Sequence, residues 1–480
     1  MNRLTWKTLC LLCLSFVVGA TFSSRAGQLG TDATARLSSP KSERVPPLRM
    51  ATFRCDVTVP LGEPLIWITP AVRIDDPQWA KGIVLDDGKA RYVMCVLDWC
   101  GVCDGTELFL RNKIASAAQT DPLRVAVHCV HQHTAPYIDT DAFKLLESLP
   151  KPPLRTSEKF LNRVAGSLAE AVEKAVGQLE PFDHIGTGQA KVERVASGRR
   201  LHGADGKIVV RGSAGGKDPK LAAAPEDRID PMLKTISFAR GSRPLARLHY
   251  YACHPQTHQL DGVVSADFVG MAREAMEEKE KVAQIYFNGC GGDVTVGKYN
   301  DGSLEARNGL QQRLQAAMEA AISSTQWAPA ERLEWRTFPL TLPPQDDPRY
   351  SAATCRERLN NPDKRGDDDL YRSAIVVAFS ERSRPLHLSS LTIGKTHIIH
   401  LPGECLLEFQ LYAQRLRPKE FVAVAAYGDL GTGYICPDQA IDEGGYEPTA
   451  SRVGRGSEAL LKKAIRDLLL ADDVAGDKRP

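Results

Sequence analysis

Several things are scarce in this chain of 480 residues. It has little net charge, since 61 Lys and Arg against 59 Asp and Glu leave a formal +2. No basic block stands out to neutralise a run of phosphates, which excludes a general nucleic-acid binder. Beyond the N-terminus there is no apolar run long enough to cross a bilayer. Cysteine is sparse, at twelve in all, too few for a dense disulfide framework. The sequence shows no internal repeat, no low-complexity tract and no HExxH zinc-protease arrangement. What is there is an ordinary globular composition, 43% apolar and 25% charged, long enough to bury one large core or two smaller ones.

The first residues read as an address. Arg3 and Lys7 precede an almost wholly apolar stretch from Leu9 to Phe22. It is short for a span and has the positive-then-apolar order of a secretory signal. Val18-Gly19-Ala20 and Ser24-Arg25-Ala26 both offer small-x-small cleavage sites, and cleavage is expected after Ala26. Residues 1–26 are therefore read as a signal peptide, and the protein as exported to a periplasm, a cell surface or the medium. The competing reading is an uncleaved membrane anchor. Loss of Arg3, Lys7 and Arg25 takes the formal charge from +2 to −1. Residues 27–48, polar and rich in Ser, Arg and Pro, read as a flexible linker. Residues 49–472 read as one globular catalytic domain and 473–480 as a tail.

Periodicity places the elements. Strands are expected at Leu123–Val130, Leu245–Cys253, Val282–Phe287 and Thr396–Leu401. Helices are expected at Ser157–Leu179, Phe268–Lys281 with Asp267 as cap, Leu304–Ile322, Glu404–Leu416 and Glu458–Leu470. Strands and helices alternate, which predicts an α/β fold of mixed sheets with flanking helices. The stretch Pro343–Asp369, rich in Pro, Asp and Arg, is expected at the surface.

Four local signals carry chemistry. In Val127-His128-Cys129-Val130-His131-Gln132-His133, strand alternation puts His131 and His133 on one face and His128 on the other. Two imidazoles so placed can ligate a metal, or supply one ligand and one proton-handling group; His128 reads as a packed histidine. In Ala252-Cys253-His254-Pro255, the proline extends His254 at a strand end, where α/β sites gather. His258, four residues on, reads as a bystander. Glu404 in Leu401-Pro402-Gly403-Glu404 stands at a strand-to-helix turn, where it can serve a site or simply complement the helix. Tyr434 and Tyr446 lie in a glycine-rich stretch, where tyrosines usually pack.

Taken together, His131-Gln132-His133-Thr134-Ala135-Pro136, Cys253-His254-Pro255, Asn288-Gly289-Cys290-Gly291-Gly292-Asp293-Val294, Leu401-Pro402-Gly403-Glu404 and Gly433 to Glu447 form an ordered set. In order and approximate spacing this set resembles the neutral/alkaline non-lysosomal ceramidase family, zinc amidases that cut the N-acyl bond of ceramide. The resemblance runs from Asp56-Val57-Thr58-Val59-Pro60 to about Glu447, strong at the motifs and weak between them. It implies a zinc held by His131, His254, Glu404 and Tyr434, with His133 beside it. It also implies Tyr446 and Arg199 as hydrogen-bond donors to a developing oxyanion, a lipid or other small-molecule substrate, and contact with a membrane surface. Such a zinc lowers the pKa of a bound water to ~7 and so delivers a nucleophile to an amide or ester carbonyl. His133 can pass a proton to the leaving amine, and Asp267 or Asp293 can orient the imidazoles.

Three departures bear on the substrate. Where the family has Gly-Asp-Val-Ser-Pro-Asn, this chain has Gly292-Asp293-Val294-Thr295-Val296-Gly297, so a catalytic serine becomes Thr295. The family's Asn-Arg-Ser is reduced to Gly198-Arg199-Arg200. The sequence ends soon after the last motif, without the C-terminal β-sandwich of full-length ceramidases. The alternatives are a zinc hydrolase of this scaffold acting on another amide or ester, and a non-catalytic metal-binding surface protein. Two other motifs mislead. Trp99-Cys100-Gly101-Val102-Cys103 resembles a redox CxxC, but Asp104-Gly105-Thr106 predicts a turn where a helix is needed. Gly292 to Lys298 fits GxxxxGK, yet Tyr299 replaces the magnesium-binding hydroxyl.

Overall fold

The protein is described here from a computed structural model covering residues 46–476. The expected signal peptide, nearly all of the expected linker and the end of the tail lie outside the described residues. No helix among the described residues is long and apolar enough to cross a membrane.

The architecture is mixed α/β, built around three larger sheets. The first has the order Val125–Cys129, Arg91–Leu97, Trp79–Asp86, Arg49–Asp56, Glu180–Pro181. The second has the order Ala283–Asn288, Arg243–Tyr251, Met232–Arg240, His184–Lys191, Gln326–Pro329. The third has the order Leu333–Leu340, Leu386–Ile393, Thr396–His400, Phe421–Ala425. Strand alternation explains how they share a core. Met94 and Val96 of the first sheet turn to one buried cluster, with Ile236 and Leu248 of the second and Leu391 and Ile398 of the third. Val93, Cys95 and Leu97 turn the other way, onto a cluster filled by helices. One of those is Glu158–Val176, with Ser157 Oγ accepting from the Phe160 N–H. Its apolar residues Phe160, Leu161, Val164, Leu168 and Val172 recur at helical spacing on the buried face.

The same topology recurs in all three sheets, although the sequence repeats nothing. An antiparallel hairpin is followed by a short strand, a helix, and a final edge strand parallel to the hairpin's second arm. The first unit runs Trp79–Asp86, Arg91–Leu97, Gly101–Cys103, helix Asp104–Ala118, Val125–Cys129. The second runs Met232–Arg240, Arg243–Tyr251, Val263–Val264, helix Asp267–Glu280, Ala283–Asn288. The third runs Leu386–Ile393, Thr396–His400, Glu404–Cys405, helix Leu407–Leu416, Phe421–Ala425. The carboxyl ends of the parallel pairs meet around Asn288. Its Nδ2 donates to Val130 O at 3.1 Å, its Oδ1 accepts from Cys253 N at 3.3 Å, and its carbonyl accepts from Ala426 N at 2.9 Å.

Some expected elements shift. The first strand stops at Cys129, and His131 adopts a left-handed backbone with φ of 75°, so simple alternation does not carry His131 and His133 to one face. Glu404 is not in a helix: Glu404–Cys405 is a strand, and the helix starts at Leu407. A helix does begin at Asp104, where a turn was expected, because the Asp429 carboxylate holds the Asp104 N–H at 2.9 Å. The last helix continues past Leu470 to Gly476. The Pro343–Asp369 stretch is not merely surface: it includes the helix Ala352–Asn360, with Cys355 and Leu359 buried.

Candidate metal centre

Each donor follows from a strand end. His131 comes just after Val125–Cys129, where its own N–H is held by Trp99 O at 2.9 Å. His254 comes just after Arg243–Tyr251 and bridges to Thr295. Glu404 and Tyr434 pair directly, as register partners of two short parallel strands. That pairing, rather than a helix start, is what aims the Glu404 carboxylate. Gly403 permits it, with φ of 64° and no room for a side chain.

The geometry is that of a compact donor cluster. Glu404 Oε2 lies 3.2 Å from both His131 Nε2 and His254 Nε2, and Tyr434 Oη lies 3.4 Å from His254 Nε2. His131, His254 and Glu404 are all buried and can converge on one ion. The other nitrogen of each imidazole is committed: His131 Nδ1–H donates to Cys100 O at 2.6 Å, and His254 Nδ1–H to Gly291 O at 2.6 Å. These carbonyls, and neither Asp267 nor Asp293, orient the rings. A neutral carbonyl fixes the tautomer without placing a second anion beside the carboxylate. Asp267 instead accepts from Thr257 N and Oγ1, and Asp293 from Leu407 N.

With both Nδ1 atoms donating, the Nε2 lone pairs point at the carboxylate. His131 Nε2 and Glu404 Oε2 have no hydrogen-bond partner. Burial, then the Arg199 charge, pushes His254 down to about 3. Buried lone pairs facing an ionised carboxylate repel unless a cation lies among them. Two imidazoles, a carboxylate and a phenol oxygen form a nitrogen-oxygen set that suits zinc. A second grouping, Cys100, His131 and His133, is a poorer host, because burial keeps the Cys100 thiol strongly protonated.

Around this cluster stand the other expected site residues. Arg199 Nη1 donates to Tyr434 Oη at 2.8 Å and lies 3.9 Å from Glu447, while Arg200 holds Glu447 at 2.7 Å. Tyr446 packs its ring edge-on to Tyr434 at 5.7 Å and is partly exposed at the cavity. The His133 ring lies 5.1 Å from that of His131. Its Nδ1 meets Gln256 Nε2 at 3.1 Å and Gln259 Oε1 at 3.2 Å, while its Nε2 is free of partners. Burial, then His131 and His254, pulls its pKa well down. Thr295 is not among the residues lining the cavity; its hydroxyl accepts from Gly297 N at 3.1 Å.

His128 packs as expected, 5.8 Å from the Phe287 ring, with Nδ1 on Ala426 O. His258 pairs with Asp261. Lys298 is taken up by the carbonyls of Ala222 and Ala224, and the next helix begins only at Leu304, so no phosphate loop forms.

The cluster opens on a cavity of about 280 Å³. His131, His133, Glu404, Tyr434 and Tyr446 line its metal end; Trp67, Tyr137, Tyr350, Cys355, Ser373 and Arg452 are among its other walls. Sequence reasoning missed those walls, the two carbonyls and Tyr427, whose ring lies 4.5 Å from that of His131. Backbone acceptors leave no side-chain signature, and Tyr427 stands outside every motif.

No protein-family model matches the sequence, and no curated protein sequence matches it. Among solved structures, the fold is similar to that of neutral ceramidase from Pseudomonas aeruginosa. The TM-score is 0.68 at 15% identity, over 89% of this chain and 75% of that one. A ceramidase complexed with C2 matches with a TM-score of 0.68 at 15% identity, over 89% and 76% of the two chains. The fold is therefore ceramidase-like.

Proposed function

We propose that the chain is an exported zinc-dependent hydrolase that cleaves the amide bond of an N-acylated compound, with 49–472 as its catalytic unit. The observation that carries this is the compact donor set of His131, His254, Glu404 and Tyr434, of which His131, Glu404 and Tyr434 line a cavity. A zinc ion bound there supplies Lewis acidity toward water and toward a carbonyl oxygen. The chain's own residues supply the rest. Arg199, which donates to Tyr434 Oη, and Tyr446, packed edge-on to Tyr434, offer donors to an oxygen that gains negative charge. His133, which lines the cavity, is held neutral and has an Nε2 without a partner, can accept a proton and return it to the leaving nitrogen. Gln256 and Gln259 compete for its Nδ1, so the tautomer can change as the proton moves. The ceramidase-like fold favours a lipid amide reached by contact with a membrane surface, and the N-terminal pattern of Arg3, Lys7 and Leu9 to Phe22 favours export.

Metal analysis of the purified protein tests the site, with His131→Ala alongside. One zinc per wild-type chain and a clear loss in the variant are expected; unchanged zinc in His131→Ala overturns the ligand assignment. A panel of N-acyl amides then tests turnover. If the zinc-loaded protein cleaves none of them, and Tyr446→Phe alters nothing measurable, the non-catalytic metal-binding reading takes its place.

A further inference from the structure

Away from the donor cluster, the cavity wall includes an unusual cation. Arg452 is nine-tenths buried and lines the cavity. Its Nη1 donates to Tyr137 Oη at 3.1 Å, Leu430 O at 2.8 Å and Gly431 O at 3.4 Å. All three acceptors are neutral, and no carboxylate of the described residues forms an ion pair with it. Equally buried arginines are neutralised: Arg273 by Asp98, Arg200 by Glu447, Arg382 by Asp104 and Asp429. Arg211 also lacks a carboxylate, but it serves the carbonyls of Gly198 and Pro225 and lies off the cavity. Asp139 is within electrostatic reach of Arg452 but forms no ion pair with it: its Oδ1 caps the helix Thr140–Glu147, and burial raises its carboxyl to about 6. A buried guanidinium with no carboxylate in direct contact is costly, and a ligand carboxylate at the cavity would offset that cost.

A second observation points the same way. Ser373 is almost fully buried, lines the same cavity, and its Oγ has no hydrogen-bond partner. Cys355 lines the same cavity, and its thiol, a weak hydrogen-bonding group that a carboxylate would outcompete, interacts with Ser373 and with the charges of Arg358, Asp369 and Arg452. The acids of the lining are already engaged. Asp369 faces Arg358 at 3.6 Å, and Glu404 belongs to the donor cluster. Arg372 lies 3.2 Å over the Trp67 ring, which gives this wall a flat apolar side.

We propose that this part of the cavity binds a substrate carboxylate, paired with Arg452 and accepting a hydrogen bond from Ser373 Oγ. This rests on the hydrolase reading of the same cavity and names its substrate class, an N-acyl amino acid. A cavity of about 280 Å³ suits a compact amine half better than a long acyl chain. The carboxylate therefore belongs to the leaving amino acid. Water adds to the amide carbonyl, the C–N bond breaks, the nitrogen takes up the proton, and a fatty acid and a free amino acid result.

The test compares N-lauroyl-glycine with its neutral counterpart N-lauroyl-ethanolamine, on the full zinc-loaded protein and, by calorimetric binding, on the metal-free protein. One charge-assisted hydrogen-bonded pair gives a preference for the glycinate of about ten- to a hundredfold in kcat/KM and in affinity. Arg452→Gln is expected to bring that ratio to within about threefold of unity, while Arg452→Lys keeps part of it. Equal affinity and equal turnover of the two probes by wild type overturn the carboxylate site and leave the hydrolase intact. A tight, Arg452-dependent preference in binding with no cleavage of either probe sustains the carboxylate site and overturns the hydrolase reading. If Arg452→Gln fails to fold, Ser373→Ala and the wild-type ratio still decide.

Discussion

Gly403→Ala tests how the carboxylate of the donor cluster is held. Gly403 has φ of 64°, and a Cβ there meets Thr432 Oγ1 at 2.1 Å and Gly433 O at 2.8 Å. The left-handed backbone alone costs alanine about 1–2 kcal/mol, and forcing the overlap adds about 1–3 kcal/mol. Together they destabilise the fold by roughly 2–5 kcal/mol. Because Gly433 O accepts from Glu404 N at 2.9 Å, relief of the clash parts the two strands that carry Glu404 and Tyr434. Zinc affinity should then fall at least about tenfold, a loss of ~1.4 kcal/mol. Gly394→Ala is the control: φ is 58°, but nothing lies within 4 Å of its Cβ, so only the backbone cost applies. Urea unfolding of the metal-free proteins and zinc titration against a chelator measure both effects. The reasoning is wrong if Gly403→Ala is no less stable than Gly394→Ala and binds zinc like the wild type.

Three further outcomes are expected. Arg273 donates to both oxygens of Asp98 at 2.7 Å with both side chains fully buried; Arg273→Met should cost about 3–5 kcal/mol in urea unfolding, with partial recovery when Asp98→Asn is added. A single variant within about 1 kcal/mol of wild type would contradict this. His249, held at about 4 by burial, is neutral in the fold but protonates in the unfolded chain below pH ~6.5. Its folded pKa lies below its unfolded one, so the stability it contributes is present above pH ~6.5 and is lost as pH falls toward 4. Wild type should therefore lose up to about 1.4 kcal/mol per pH unit relative to His249→Gln across that window, and a pH-independent difference refutes it. Asn288→Ala orphans Val130 O and Cys253 N, at about 1–3 kcal/mol for each group left unpaired. Thermal melts should show that loss, and a melt matching wild type would remove Asn288 as the junction of the sheets.

Local chemistry was the legible part of this chain. Glu158–Val176 and Leu304–Ser323 follow from helical spacing to within a few residues, and the mixed α/β class follows from the alternation of elements. His131, His254, Glu404 and Tyr434 became a set only through the order of the motifs that resemble the ceramidase family; taken singly, Glu404 read equally as a helix complement and Tyr434 as a packing residue. What joins them was not legible. The pairing of Glu404 with Tyr434 is a contact between distant segments, and a Pro-Gly before an amphipathic run looks like a helix start. The carbonyls of Cys100 and Gly291 are backbone atoms that any residue would supply. The Pro343–Asp369 stretch looked like surface because its charges dominate its composition, yet Cys355 and Leu359 anchor it to the core. The threefold recurrence of the sheet unit is topological, carried by different residues each time.

That recurrence bears on how the proposed metal would be acquired. His131, His254 and Glu404 hang from three separate units, and each unit alone holds an incomplete set. A partly folded chain is thus a weak competitor for the ion. The whole binding free energy, about 4 kcal/mol at a thousandfold excess over Kd, acts on the last step, when the three strand ends close around Asn288. An ion captured there would work as a clasp on assembly. Chelation should loosen the sheets from one another before any one of them unravels.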